Sequence, residues 1–450
     1  MAVTGFVAAI SNNNERWDGR DFMIVYLICY LVSFFLARWG HYYLSGLALM
    51  GAAVWLYLYD YRRSKNLIHL RGLFSLFWVG GQGLACLKLS QLQSDWTLMT
   101  WVCMALALIG FWTVFEILCH LYGTGHDNYG RWRSFSGNPK PVFQMICAVT
   151  GLSLAAFIGE AVVLGYVPFF LRGVPHAYSE FHLTGVHYIT VSCVLVPSLT
   201  VLYFHMERGR GSDRRMLAAI VMTVISLLIP IFCVSRFQFI FAILLAAFTY
   251  ISLQKVFQPW YLLGLLVIMI PVYLILTVAR SHDVAYLNGI FEMKYAKMPI
   301  FITQPYMYIA NNYDNFNCMV EVLPGHSFGM KGLFPLWALT GLKFFFPQLI
   351  NYPIYVDKKE LTTLTLFYDA YYDFGWIGVL VFSCLLGLAA YLLVVKLREM
   401  RNPMGYLLYA QLGAYLMLSF FTTWFSNTTT WFYLIVTGLM AVYYTLREHR

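Results

Sequence analysis

The sequence predicts an all-α polytopic membrane protein with about 12 transmembrane helices, and three observations carry that prediction. The first is composition: of 450 residues, 60% are hydrophobic, 18% aromatic and only 11% charged, where a soluble domain carries roughly a quarter charged residues. The second is the recurrence of long apolar runs. The third is the distribution of Lys and Arg between the segments that join those runs.

Apolar runs of about 16 to 24 residues can cross a hydrocarbon core about 30 Å thick. Twelve such runs follow in order: Phe22–Ala37, Tyr42–Tyr59, Leu73–Leu89, Leu98–His120, Val142–Gly165, Val186–Phe204, Met216–Ser235, Phe237–Leu253, Trp260–Val278, Trp376–Val395, Met404–Trp424 and Trp431–Thr445. Only Arg38, Trp39, Gly40 and His41 divide the first two, and Arg236 alone divides the seventh from the eighth. Met1–Ile10 lacks a basic stretch and has too short an apolar run for a cleaved signal, so the first span is expected to direct insertion.

Cytoplasmic loops are enriched in Lys and Arg. With the N-terminus inside, the inner segments hold nineteen, among them Arg62, Arg63, Lys65, Arg71, Arg208, Arg210, Arg214 and Arg215, against four, Arg38, Lys88, Arg172 and Arg236, in the short outer connections. Both termini are therefore expected in the cytoplasm. The net charge of +9 follows from this bias and gives no reason to invoke nucleic acid. Eight of the nine cysteines lie in or beside spans, with Cys318 in a loop, so disulfides are not expected to organise the fold.

This topology leaves a single membrane domain, residues 1–450, with two outer loops: a short one at 166–185 and a long one at 279–375, the expected active-site segment. No internal repeat relates the halves, which favours chemistry on one face over alternating access. Within the long loop, Gly332–Phe346 is too short to span, with Pro335 near its start and Pro347 just after it, as suits a helix at or re-entering the membrane interface, and Ile300–Ala310 can lie there too.

Arg172, Arg236 and Arg280 sit at outer span ends, where guanidinium groups can grip a diphosphate or merely anchor the chain at the interface. Arg236 interrupts an otherwise continuous apolar stretch at considerable cost. Among the acids, Asp369 and Asp373 are four apart in LFYDAYYDFGW and share a helical face, with Glu360 nine residues before the first. Each is a candidate general base, although Asp373 beside Gly375 reads better as a helix end. Glu160 is an intramembrane acid, and Glu116, near an inner span end, is expected to snorkel. His326 in PGHSFG can orient or deprotonate an acceptor or simply be solvated. His176, His182, His187 and His282 show no metal spacing, and neither HExxH nor DxD occurs, so neither a metal nor a nucleotide sugar is expected. Asn311, Asn312, Asn315 and Asn317, interleaved with Tyr306, Tyr308, Tyr313, Tyr368, Tyr371 and Tyr372, offer ring faces and amides of the kind that bind sugars; an interfacial aromatic belt would look similar.

SRFQFIFAILL, then QPYMYIANNYDNFN, then ELTTLTLFYDAYYDFGWIGV resembles, in order and topology, the bacterial O-antigen and capsular oligosaccharide repeat-unit polymerases of the Wzy type, over about Gly165–Val395. The resemblance implies an enzyme of the bacterial cytoplasmic membrane with the helical fold shared with O-antigen ligases. Its substrate would be undecaprenyl-diphosphate-linked oligosaccharide, its further partners membrane lipid and a chain-length regulator, and it would use no cofactor. It would transfer the growing chain to the next unit at the outer face. Glu360, Asp369 and His326 are then the catalytic candidates, and Arg172, Arg236, Arg280, Asn312, Tyr313 and Tyr368 the substrate-binding ones. The family's arginine followed by glycine eleven positions on is missing: Leu183 follows Arg172 at that spacing and Phe291 follows Arg280. A flippase for the same lipid-linked sugars is the alternative reading, and it calls for polar residues spread along the spans.

Overall fold

A computed structural model describes residues 19–122, 137–171, 177–207, 213–254, 284–295, 297–396 and 400–448. Within them the chain is helical, and the one β-bridge pairs Ser90 with Met293. Eight helices are long and apolar enough to cross a membrane: α2 (Tyr42–Ser64), α4 (Leu98–Leu121), α5 (Pro139–Leu164), α6 (Val186–Glu207), α7 (Asp213–Phe232), α8 (Arg236–Leu253), α12 (Tyr368–Lys396) and α14 (Thr428–Glu448). Their outer faces bear large apolar side chains, such as Leu152, Val162, Leu385 and Leu439, all more than half exposed, a surface that a soluble monomer does not display on this scale. The chain is thus a multi-pass membrane protein.

Eight spans among the described residues stand against twelve expected. Trp260–Val278 lies outside the described residues. The other three form helices, but α3 (Leu70–Ala85) and α13 (Met404–Met417) have only 16 and 14 residues, and the apolar part of α1 (Gly19–Arg38) is the short Phe22–Arg38. At 1.5 Å per residue, α3 reaches about 24 Å, less than the hydrocarbon thickness. It needs no lipid-facing surface, since Leu70, Phe74, Trp78 and Val79 are buried on neighbouring helices.

Helix ends follow local chemistry. Thr97 caps α4 by accepting from Thr100 N at 3.2 Å, Asn138 caps α5 through Lys140 N at 3.1 Å, and Gly165 closes α5 in the left-handed conformation. The α4–α12 crossing depends on a small residue: a Cβ at Gly387 would stand 2.5 Å from the Phe111 carbonyl oxygen. Charge is buried deeper still. Arg71 on α3, fully enclosed, sends Nε to both Asp60 oxygens at 3.0 and 3.1 Å and Nη1 to Glu116, with its guanidinium 4.1 Å from the Trp112 ring centroid. Glu116 therefore does not snorkel, and Arg71, counted above among the cytoplasmic charges, is internally neutralised.

The segment expected to form the long outer loop is largely structured. α9 (Val284–Phe291) leads to α10 (Ile300–Val322), a 23-residue helix that runs well past the interfacial helix expected at 300–310; it packs on α3, α4 and α12. Its polar residues face inward: Gln304, Asn311, Asn312, Asp314, Asn315 and Asn317 are all buried. Gly332–Phe346 folds as two short helices, α11 (Phe334–Leu339) and a turn at Leu342–Phe345, divided by Gly341 at φ 76°. Leu336, Phe344, Phe345 and Phe346 remain exposed on it.

Candidate functional site

A polar cluster forms where α12 breaks. Residues 368–373 make one short helical segment; Phe374 (φ −138°, ψ 18°) and Gly375 (φ 61°, ψ −148°) interrupt it; the long apolar helix then resumes. The break frees two carbonyls of the first segment. Ser327 N takes that of Tyr372 at 3.2 Å and Phe328 N that of Asp373 at 3.1 Å, so the PGHSFGMKG turn docks on the opened helix end. The Asp373 carboxylate completes the docking by accepting from the Ser327 hydroxyl, from Lys331 N at 3.2 Å and from Gly332 N at 2.8 Å. A Cβ at Gly332 would lie 2.6 Å from Asp373 Oδ2, so any side chain there displaces the carboxylate from this docking. The helix end expected beside Gly375 is present, but Asp373 binds a distant turn instead of its own helix.

Lys331 is the residue that sequence reasoning missed. Its backbone is held by Asp373, and its ammonium, on a mostly buried side chain, sits 4.0 Å from Asp369 Oδ1, 4.6 Å from the Tyr372 ring centroid and 3.4 Å from the Tyr352 carbonyl oxygen. Burial pulls this ammonium below its ordinary value, against the opposing pull of Asp369 and Asp373. Asp369 is 6% exposed, and the Ser426 and Thr423 hydroxyls interact with its carboxylate. A lysine beside Gly332, alone in an apolar segment, was the signal available in the sequence.

His326 lies across the break. Its Nδ1 is 3.3 Å from the Tyr372 carbonyl oxygen, which can only accept, so Nδ1 carries the hydrogen of this bond. The ring is exposed, edge-on to Tyr371, and its Nε2 stands where a Gly375 side chain would be.

Beside the cluster opens a cleft of about 670 Å³. Phe328, Leu333, Phe374, Val381, Phe382, Leu385, Phe425 and Trp431 give it an apolar wall, while Asp373 and Ser426 stand at its polar end with Gly332 and Ala370. Arg236, 7% exposed, opens α8; its neighbour Phe237 stacks on Phe421 and lies 5.5 Å from Trp424, within the turn that delivers Ser426 to the cleft.

The remaining expected site residues are placed differently. Asn312 and Tyr313 are both 0% exposed. Asn312 donates to the Phe420 and Tyr308 carbonyls and accepts from the Thr363 hydroxyl, while the Tyr313 hydroxyl donates to the Trp78 carbonyl at 2.7 Å. Asn315 likewise donates to the Leu361 and Thr363 carbonyls, so the amides read as a sugar-binding surface fasten the extended ELTTLT segment onto α10. The Tyr368 hydroxyl spans from Tyr355 N to Tyr355 O, at 2.8 and 2.9 Å, as a strut. Glu360 is exposed on the 357–360 turn, apart from the cluster's bonds. Glu160 is enclosed and accepts from Leu183 N, His187 Nδ1 and the Thr190 hydroxyl, tying α5 to the start of α6. Arg172, Arg280, His176 and His282 lie outside the described residues.

The arrangement brings a buried carboxylate, a neighbouring ammonium and an imidazole, the group types that general acid–base chemistry uses, to the end of an apolar cleft. Among the described residues no three His, Cys, Asp or Glu side chains converge as a metal site requires. Comparison with protein-family models, with curated proteins and with solved structures finds no significant match to this chain.

Proposed function

We propose that this protein is a membrane glycosyltransferase that polymerises undecaprenyl-diphosphate-linked oligosaccharide units for O-antigen, capsule or exopolysaccharide at the outer face of the bacterial cytoplasmic membrane. The observation that carries the reading is the junction of the ionisable cluster with the apolar cleft: a polyprenyl chain fits the wall of Phe, Leu and Trp, while sugar hydroxyls fit the end held by Asp373, Ser426, Asp369 and Lys331. The motif order noted above supports it as well.

In the reaction, an acceptor hydroxyl oxygen attacks the anomeric carbon of the growing chain. The bond from that carbon to the diphosphate oxygen breaks, and undecaprenyl diphosphate leaves with the electron pair. A carboxylate takes the hydroxyl proton. Arginines, of which Arg236 is the described candidate, offset the charge developing on the leaving group. Sugar specificity then resides in the groups around the polar end of the cleft.

A deletion strain tests this. Cells lacking the protein should display single repeat units at the surface in place of long glycan, and purified protein in liposomes should lengthen units extracted from that strain. Protein that carries the units across the bilayer without lengthening them would instead establish the flippase reading.

A further inference from the structure

We infer that the hydroxyl of the incoming sugar is bound between Lys331 Nζ and Asp369 Oδ1. This rests on the polymerase reading and names the acceptor subsite within it.

Asp369 Oδ1 is buried and makes no hydrogen bond, although the residue is 6% exposed. A buried carboxylate oxygen without a donor is costly unless something else fills the place. Among the described residues the nearest cation is Lys331 Nζ at 4.0 Å, too far for a direct hydrogen bond, which ends near about 3.2 Å. The spacing is right for one intervening oxygen. An oxygen about 2.8 Å from both atoms sits to one side of the line joining them, and a hydroxyl there satisfies both: its O–H donates to Asp369, and its lone pair accepts from Lys331. The ammonium has donors to spare, since the Tyr352 carbonyl uses only one.

The gap adjoins the cleft. Ala370 and Gly332, the chain neighbours of the two residues, line it, as does Ser426, whose hydroxyl meets the Asp369 carboxylate. A lipid-linked sugar seated in the cleft therefore has its head at the pair. When the hydroxyl oxygen bonds to the anomeric carbon, its proton passes to Asp369 Oδ1, and the electron pair of the broken carbon–oxygen bond goes to the departing diphosphate.

Lys331→Met preserves the turn, because the bond to Asp373 comes from the backbone nitrogen, and it retains an apolar stem of similar length. The assay uses protein in liposomes with lipid-linked saccharide extracted from the deletion strain, and follows rate against saccharide concentration. Lys331→Met should raise the half-saturating concentration about tenfold, the loss of one charged hydrogen bond, with Lys331→Arg restoring most of it. Asp369→Asn should lower the maximal rate about 100-fold or more, as removal of a general base does, with little change in half-saturation. Unfolding midpoints of all variants are recorded to separate binding from folding. If wild type lengthens the saccharide and both Lys331→Met and Asp369→Asn match it, the subsite is wrong and the polymerase reading stands. If wild type neither lengthens nor binds the saccharide, both fall together.

Discussion

Gly375→Ala is the sharpest test of the helix break. Gly375 sits at φ 61°, ψ −148°, a region that residues with a Cβ essentially do not enter and that costs about 1–3 kcal/mol when they do. The new Cβ would also stand 3.1 Å from His326 Nε2 and 3.2 Å from Cε1. His326 is exposed and can turn away, but turning forfeits its bond to the Tyr372 carbonyl, worth about 0.5–1.5 kcal/mol net. The expected destabilisation is therefore about 2–4 kcal/mol. Chemical unfolding in detergent, followed by tryptophan fluorescence, measures it. Adding His326→Ala removes the collision and leaves the backbone strain, so the double variant should be less destabilised than the sum of the singles by about 0.5–1 kcal/mol. A Gly375→Ala protein as stable as wild type would refute the break, and with it the freed carbonyls on which the 327–332 turn docks.

Two further expectations concern charge in the interior. Arg71→Met should destabilise by about 3–5 kcal/mol, because it leaves Asp60 and Glu116 buried without their cation; adding Asp60→Leu should recover part of the loss in the same unfolding assay. Asp314, on α10, is pushed up to about 7 by burial, with the hydrogen bonds from Trp96 and Gln93 pulling the other way. Its folded form thus retains a proton that the unfolded form, near 3.8, has released. The resulting stabilisation is complete below the unfolded value and is lost as pH rises through 7. The melting temperature should fall between pH 4 and 8 from this source, and Asp314→Asn should flatten the slope.

The shared face of Asp369 and Asp373 near the start of an apolar helix was legible in the sequence, because a helical period brings residues four apart together and Gly375 marks an end. Lys331 was not, since its isolation in an apolar segment is a weak signal: its significance comes from a turn that closes on a carboxylate some forty residues later. The opposite error has the same origin. Asn312 and Tyr313 carry the residue types of a sugar site, yet their partners Phe420, Thr363 and Trp78 are remote in sequence, and no spacing rule connects them.

Composition and apolar run length by themselves determined that this is an all-helical, multi-pass membrane protein, because hydrocarbon tolerates only helices or closed barrels and the runs match a helix crossing it. They also placed most helix positions within a few residues. Tertiary structure alone decided which apolar helices are buried among neighbours, since α3 and α13 are short and largely enclosed, and it built the packed helix α10 within the expected outer loop. It also set the 4.0 Å gap between Lys331 and Asp369. Local sequence carries propensity and hydrophobicity, whereas the pairing of a buried donor with its acceptor is a property of the packed chain, settled only when distant segments meet.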